Sequence, residues 1–220
     1  MNAKTLLPIL LLTTTLGASA AAAQEVDGYG PWRFGMSKAE VLGVEKLGPY
    51  TPVVSTDGLE TKNGPFKGET RNVSFVFGLG GLSHIQIWVY EGRSYDEAIK
   101  QFYAAYQHLV ENFGPVHQDG DPWPSDLTAE TLASRIPPEY HQSAASPEAF
   151  VEELKSKGST NVETLKLHLH PQKPVKGADV YASFLHTPRL GFYWVFLYYK
   201  LAERPVSQVI AGLSSNVRPL

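Results

Sequence analysis

The strongest indication of the fold lies in residues 82–114, LSHIQIWVYEGRSYDEAIKQFYAAYQHLVENFG. In this segment the pattern of a strand is followed directly by the pattern of a helix. Ile85, Ile87 and Val89 alternate with other side chains, which is the period of a strand with one apolar face. Ser94 followed by Glu97 is typical of a helix start, and a Gly-Pro pair ends the helical pattern. Between these signals, apolar residues recur every three or four positions, as on the buried stripe of an amphipathic helix: Tyr95, Ile99, Phe102, Tyr106, Leu109 and Phe113. The segment predicts a strand and then a helix that lies on a sheet.

The flanking sequence continues this alternation of strands and helices. Upstream, Ser37 and Glu40 form a capping box for a short helix that Gly48-Pro49 would end, and turn signals at 57–58 and 63–64 indicate an irregular hairpin. Residues 73–77 would pair with the strand at 83–90. Downstream, a helix is expected over about 146–157, and strand-like runs follow at 163–170, 179–186 and 191–200. This order predicts an α+β fold: a mainly antiparallel sheet of about five to seven strands, with two or three helices packed on one face.

The domain boundaries follow from the same elements. We expect an α+β module over 24–115 and a loop-rich excursion over 116–146, with one or two helical turns near 128–134. Residues 147–220 would add a helix and a three-stranded antiparallel continuation to the same domain. The two halves, each a helix followed by strands, are compatible with a degenerate duplication.

The N-terminus has the pattern of a secretory signal peptide. Lys4 precedes a short apolar run, and small residues follow, so residues 1–23 fit a signal cut between Ala23 and Gln24, with Ala20 as the second choice. The apolar run is too short to cross a bilayer, and no transmembrane segment is expected in the mature chain. This predicts a periplasmic or secreted protein.

The composition excludes some functions and leaves others open. The chain has no cysteine, which excludes disulfides, a thiol nucleophile and a lipid-modified cysteine. Its net charge of −3 argues against a broad nucleic-acid surface. No nucleophile elbow, phosphate loop or paired-histidine metalloprotease helix is present, so no catalytic residue and no cofactor are predicted.

The stretch WRFGMSKAEVLGV, residues 32–44, together with LSHIQIWVYEG and the helix ending ENFGPV, resembles a pattern of small exported bacterial envelope proteins with an α+β fold. Its GMSKAEV segment is similar to one in the small accessory lipoprotein of the outer-membrane β-barrel assembly machinery. This chain departs from that lipoprotein by lacking the lipidated cysteine, by being longer and by its second half. The resemblance implies an exported interaction module and assigns no functional residue.

Two groups of polar residues are candidates for metal chemistry. His168 and His170 alternate on a predicted strand, so they share a face and are candidate metal ligands, with Asp179 or His186 as a possible third. The alternative is that both histidines are polar side chains on a solvated face. His117, Asp119 and Asp121 surround a glycine, which hints at calcium but fits an Asp-Gly turn better.

Aromatic side chains on the strands are candidates for binding. If Ile85, Ile87 and Val89 face the core, Trp88 and Tyr90 face the other way beside His84 and Gln86, which predicts a binding face. The last strand is apolar on both faces: one carries Phe192, Trp194, Phe196 and Tyr198, the other Tyr193, Val195, Leu197 and Tyr199. Such a strand is either covered on both sides or presents aromatic rings to a partner.

Three functional hypotheses remain. The first is a non-enzymatic periplasmic binding or envelope-assembly module with an envelope protein as its partner. The second is a metal-dependent or small-ligand enzyme that uses His168 and His170. The third is an inhibitor of a secreted hydrolase, with an exposed loop over 117–126 that enters a cleft of the enzyme.

Overall fold

The computed structural model describes residues 25–141, 164–188 and 190–202. The predicted signal peptide, its cleavage site at Ala23 and Gln24, and the predicted helix over 146–157 lie outside the described residues.

The described chain consists of eleven strands, three α-helices and two short 3₁₀ helices. The helices are α1 Lys38–Leu42, α2 Tyr95–Phe113 and α3 Ala129–Ala133, and the 3₁₀ helices are Glu45–Leu47 and Pro138–His141. The strands are β1 Gly28–Tyr29, β2 Trp32–Arg33, β3 Tyr50–Val53, β4 Gly58–Phe66, β5 Glu69–Gly78, β6 Gly81–Gly92, β7 Val116–Gln118, β8 Asp121–Pro122, β9 Leu165–Pro171, β10 Ala178–Thr187 and β11 Phe192–Leu201. No helix of the described part is long and apolar enough to cross a membrane.

Nine strands form one sheet in the order β3-β4-β5-β6-β11-β10-β9-β7-β8, and every neighbouring pair is antiparallel. β11 lies next to β6, so strands from both ends of the described chain belong to the same sheet. The strands β1 and β2 form a separate hairpin. The predicted α+β class with a mainly antiparallel sheet is confirmed. The expected five to seven strands were too few, because β3, β4, β7 and β8 extend the sheet at its two edges.

The helix α2 follows the predicted pattern from its cap to its end. The Ser94 hydroxyl accepts a hydrogen bond from the backbone N–H of Glu97, and Gly114 ends the helix with a positive φ of 81°. The buried stripe lies against β6, β11 and β10. Phe102, for example, contacts Phe184 with ring centroids 5.3 Å apart. Burial of each such side chain contributes roughly 1.5–3 kcal/mol to folding.

The core is formed by one set of alternating strand residues. Val195, Leu197 and Tyr199 on β11 are buried, as are Ile85 and Ile87 on β6. Their partners across the strands are buried too, apart from the partly buried Tyr90 opposite Val195, which gives the sheet a continuous apolar side that meets α2. The side chains between them project from the opposite side of the sheet.

The first helix is shorter than expected. The capping box is present, because the Ser37 hydroxyl accepts from the Glu40 N–H and the Glu40 carboxylate accepts from the Ser37 N–H. However, α1 ends at Leu42 with Gly43 as its cap, and a 3₁₀ helix follows before Gly48. Glycine within the predicted helix lowers its helical propensity, so the helix ends there.

Candidate functional site

A continuous row of aromatic rings crosses five strands on the side of the sheet opposite the core. We call this row the aromatic strip. Every described ring contact of the strip is with another strand residue. In order across β6, β11, β10, β9 and β7, the strip consists of Trp88, Phe196, Tyr198, Tyr181, His168, His170 and His117.

The rings are positioned by the register of the strands. Trp88 lies opposite Phe196, and their ring centroids are 4.9 Å apart in an edge-to-face arrangement. Tyr198 lies opposite Tyr181, and these rings stack at 4.6 Å with an interplanar angle of 20°. Since directly opposite residues of antiparallel strands share a face, the alternation that buries one side of the sheet aligns these rings on the other.

Histidine rings continue the stack towards the edge of the sheet. His170 stacks on Tyr181 at 5.1 Å and on His117 at 5.8 Å, and His168 meets Tyr181 edge-on at 5.5 Å. His117 Nδ1 accepts a hydrogen bond from the Gly120 N–H at 3.0 Å, so the neutral ring carries its proton on Nε2. A cleft of about 560 Å³ opens at this end, with His117, His170 and Asp179 among its lining residues.

The rings of the strip are partly buried, and this burial shifts the pKa values of several ionisable groups in it. Burial, with a smaller contribution from Tyr181, raises the pKa of Tyr198 to about 12. Burial also raises the pKa of Tyr181 and lowers the pKa values of His168 and His170. These groups are therefore neutral at pH 7.

The predicted binding residues divide between the two sides of the sheet. His84, Gln86 and Trp88 lie on the strip side, where the Trp88 Nε1–H donates to the Ser74 hydroxyl at 3.0 Å. The Ser83 hydroxyl and His84 Nδ1 are 3.1 Å apart, and burial and then the charge of Lys200 lower the pKa of His84.

Tyr90 is not brought to the same face. A β-bulge between β6 and β11 places Tyr90 opposite the buried Val195, and the Tyr90 hydroxyl accepts from the Ser94 N–H at 3.1 Å. The bulge inserts Val89 into β6 as the extra residue. Val89 and Tyr90 therefore both point to the core side, as expected for a bulge.

The predicted metal pair is together, but among the described residues no third ligand completes a metal site. His168 and His170 share the strip side, with ring centroids 6.4 Å apart. Asp179 Oδ1 is 3.7 Å from His170 Nδ1, whereas His186 lies on the core side and stacks on Tyr193. Within the described ranges, no three His, Asp or Glu side chains are arranged to hold a metal ion together.

The acidic segment after β7 is a hairpin turn. Gln118 pairs with Asp121, which leaves Asp119 and Gly120 as the two turn residues, with φ of 49° and 94°. Positive φ at both positions is the geometry of a tight two-residue hairpin and explains the Asp-Gly pair. Asp121 itself begins β8.

Sequence reasoning missed Tyr181 and the place of His117 in the strip. A local pattern does indicate the position of Tyr181. Every second residue of β10 lies on the same face of the strand, and that face carries Asp179, Tyr181, Ser183 and Leu185. The contact between His117 and His170 exists because β7 pairs with β9. These two strands are about 50 residues apart in the sequence, and no local pattern indicates that they pair. Comparison with protein-family models, with curated proteins and with solved structures gives no significant match.

Proposed function

We propose that the protein is an exported, non-enzymatic binding module that holds an envelope protein on the strip side of its sheet. The observation that carries this proposal is the aromatic strip, which crosses five strands. In the proposal, α2 covers one face of the sheet, and a partner contacts the partly exposed rings of the opposite face, where Phe196 is the one buried member of the strip. The N-terminal pattern of a signal peptide supports an envelope location.

The orientation of the rings favours a protein partner. The rings stack along the row Tyr198, Tyr181, His170 and His117, so their flat faces are already in contact with one another. Within the described part of the chain, the hydroxyls of Tyr181 and Tyr198 form no hydrogen bond. A partner that covers them must supply hydrogen-bonding groups, which a protein interface does.

The experiment compares Tyr181→Ala with Tyr103→Ala as bait for proteins of the envelope fraction. Both tyrosines are partly buried and stack on a second tyrosine, but Tyr103 belongs to α2 on the other side of the sheet. We expect a protein captured by the parent and by Tyr103→Ala to be lost from Tyr181→Ala by at least tenfold, with all three baits folded by circular dichroism. Equal capture by the two variants would contradict the proposal.

The hairpin at the edge of the sheet favours a second candidate, the inhibition of a secreted hydrolase. The exposed turn at Asp119 and Gly120 begins two residues after His117, so the turn and the strip form one surface that a cleft of an enzyme can receive. A panel of secreted hydrolases assayed with the protein at micromolar concentration tests this. Inhibition that Tyr181→Ala abolishes and Tyr103→Ala retains would identify the partner as an enzyme.

A further inference from the structure

Three imidazoles meet at one end of the aromatic strip, and we call His117, His168 and His170 the histidine end. His170 lies between the other two, with ring centroids 5.8 Å from His117 and 6.4 Å from His168. His168 and His170 both contact Tyr181, through which they connect to the rest of the strip. A change in the charge of these rings therefore changes their interaction with the ring of Tyr181.

The carboxylates nearby can balance part of this charge. Asp179 Oδ1 is 3.7 Å from His170 Nδ1, but Asp179 also lies opposite Lys200, which is itself opposite His84. Among the described residues, the titratable or charged groups that face the histidine end, continue the same face or line its cleft are Lys166 on β9, Lys173 after β9, Asp179 and Tyr181 on β10, Tyr198 and Lys200 on β11, His84 on β6 and Asp119 in the β7–β8 turn. The two carboxylates among these described groups cannot neutralise three imidazolium ions and the lysines beside them.

Burial keeps His168 and His170 neutral near pH 7. It is the largest cause that lowers the pKa of His168, and the charges of His170 and Lys166 add to it. It also lowers the pKa of His170, although the carboxylates of Asp179 and Asp119 act in the opposite direction.

Two buried polar atoms lie at the histidine end. His168 lies directly opposite Ser183 on β10, and both His168 Nδ1 and the Ser183 hydroxyl are buried without a hydrogen-bond partner in the described part of the chain. Ser183 is 1% exposed. Because His168 Nδ1 is buried without a hydrogen-bond partner among the described residues, a positive charge on this imidazole would not be compensated by a hydrogen bond at that atom.

We propose that the histidine end makes partner binding sensitive to pH: acidification charges the imidazoles, separates the stacked rings and releases the bound protein. This inference rests on the proposed binding function. A partner that covers an imidazole must keep it neutral or bury a charge, so each covered imidazole reduces affinity about tenfold for every pH unit below its pKa. Two covered imidazoles would give about a hundredfold loss per unit.

The first test needs no partner. Histidine and tyrosine ring resonances of the purified protein are followed by NMR from pH 7.5 to pH 4.5. We expect His168 and His170 to titrate below pH 6.5 and the Tyr181 ring to shift with the same midpoint. His84→Gln, on the same side of the sheet but outside the histidine end, should keep that shift. An unchanged Tyr181 ring across the whole range would overturn the proposal.

The second test measures release. Immobilised protein is loaded with envelope extract at pH 7.5 and washed in steps to pH 5.0. We expect at least a tenfold loss of the bound protein, and we expect the release midpoint of Asp179→Asn to move to lower pH, because that carboxylate favours the charged form of His170. A protein that stays bound at pH 5.0 would overturn the pH-sensitive release. If nothing binds at pH 7.5, the proposed function fails, and the NMR test still decides whether the histidine end responds to protons.

Discussion

Acid should destabilise this protein through a histidine that is not part of the strip. His108 on α2 packs among Tyr29, Phe66, Phe113 and Tyr199, and its Nε2 is 2.7 Å from the Tyr199 hydroxyl. Burial, and then the positive charge of Lys67, lower the pKa of His108 to about 4 from the ordinary value of 6.5. Between pH 6.5 and pH 4 the unfolded chain therefore binds a proton that the folded protein does not, and stability falls as the pH falls.

The magnitude follows from the two pKa values. Full loss of this contribution corresponds to about 3 kcal/mol, of which about 2 kcal/mol is lost between pH 6.5 and pH 4.5. That is a large part of the 5–15 kcal/mol by which domains are usually stable. Urea denaturation at a series of pH values measures it as the free energy of unfolding.

Two variants separate the causes. His108→Gln removes the titrating group, so its free energy of unfolding should fall by about 2 kcal/mol less than that of the parent between pH 6.5 and pH 4.5. Tyr199→Phe removes the hydrogen bond, at a cost of about 1 kcal/mol at pH 7, but keeps the ring buried and should keep the acid sensitivity. If parent and His108→Gln lose equal stability over this range, the argument from burial is wrong.

Three further predictions concern packing, backbone and metal. Phe102→Ala should lower the free energy of unfolding by about 3–5 kcal/mol in urea, whereas Val54→Ala, at a side chain that is 96% exposed, should change it by less than about 0.5 kcal/mol. Gly81→Ala should lower the melting temperature and Gly80→Ala should not, because a Cβ at Gly81, where φ is +94°, would overlap the Gly35 carbonyl oxygen, while one at Gly80 meets nothing. Titration with zinc or another transition metal should show no stoichiometric tight uptake by the histidine pair, and tight uptake would favour the metal-dependent enzyme instead.

The elements with strong local signals were predictable from the sequence. The helix α2 was predicted with its correct bounds, because a serine cap, a regular apolar stripe and a Gly-Pro end all agree. The strands β5, β6, β9, β10 and β11 were also predicted: the first four from alternating apolar residues, and β11 from a run that is apolar on both faces.

The rest depended on contacts distant in sequence. The strand β4 contains Asn63, Gly64 and Pro65, which ordinarily indicate a turn, and the sheet accommodates them by a shift of register between Thr61 and Gly64. The bulge that turns Tyr90 to the core side is likewise set by pairing with β11, more than 100 residues away. The alternation of apolar residues therefore predicted the side of Trp88 correctly. It could not predict that Tyr90, the next aromatic residue, points to the core side.

The most direct test of the binding face is photo-crosslinking in the producing cell. A photoreactive side chain is placed either at Gln86, on the strip side opposite Tyr198, or at Gln107, on α2; both glutamines are partly buried. The proposed function predicts one dominant crosslinked protein from position 86 and none from position 107. No adduct from position 86, or the same adduct from both positions, would contradict the claim that the aromatic strip is where the protein binds its partner.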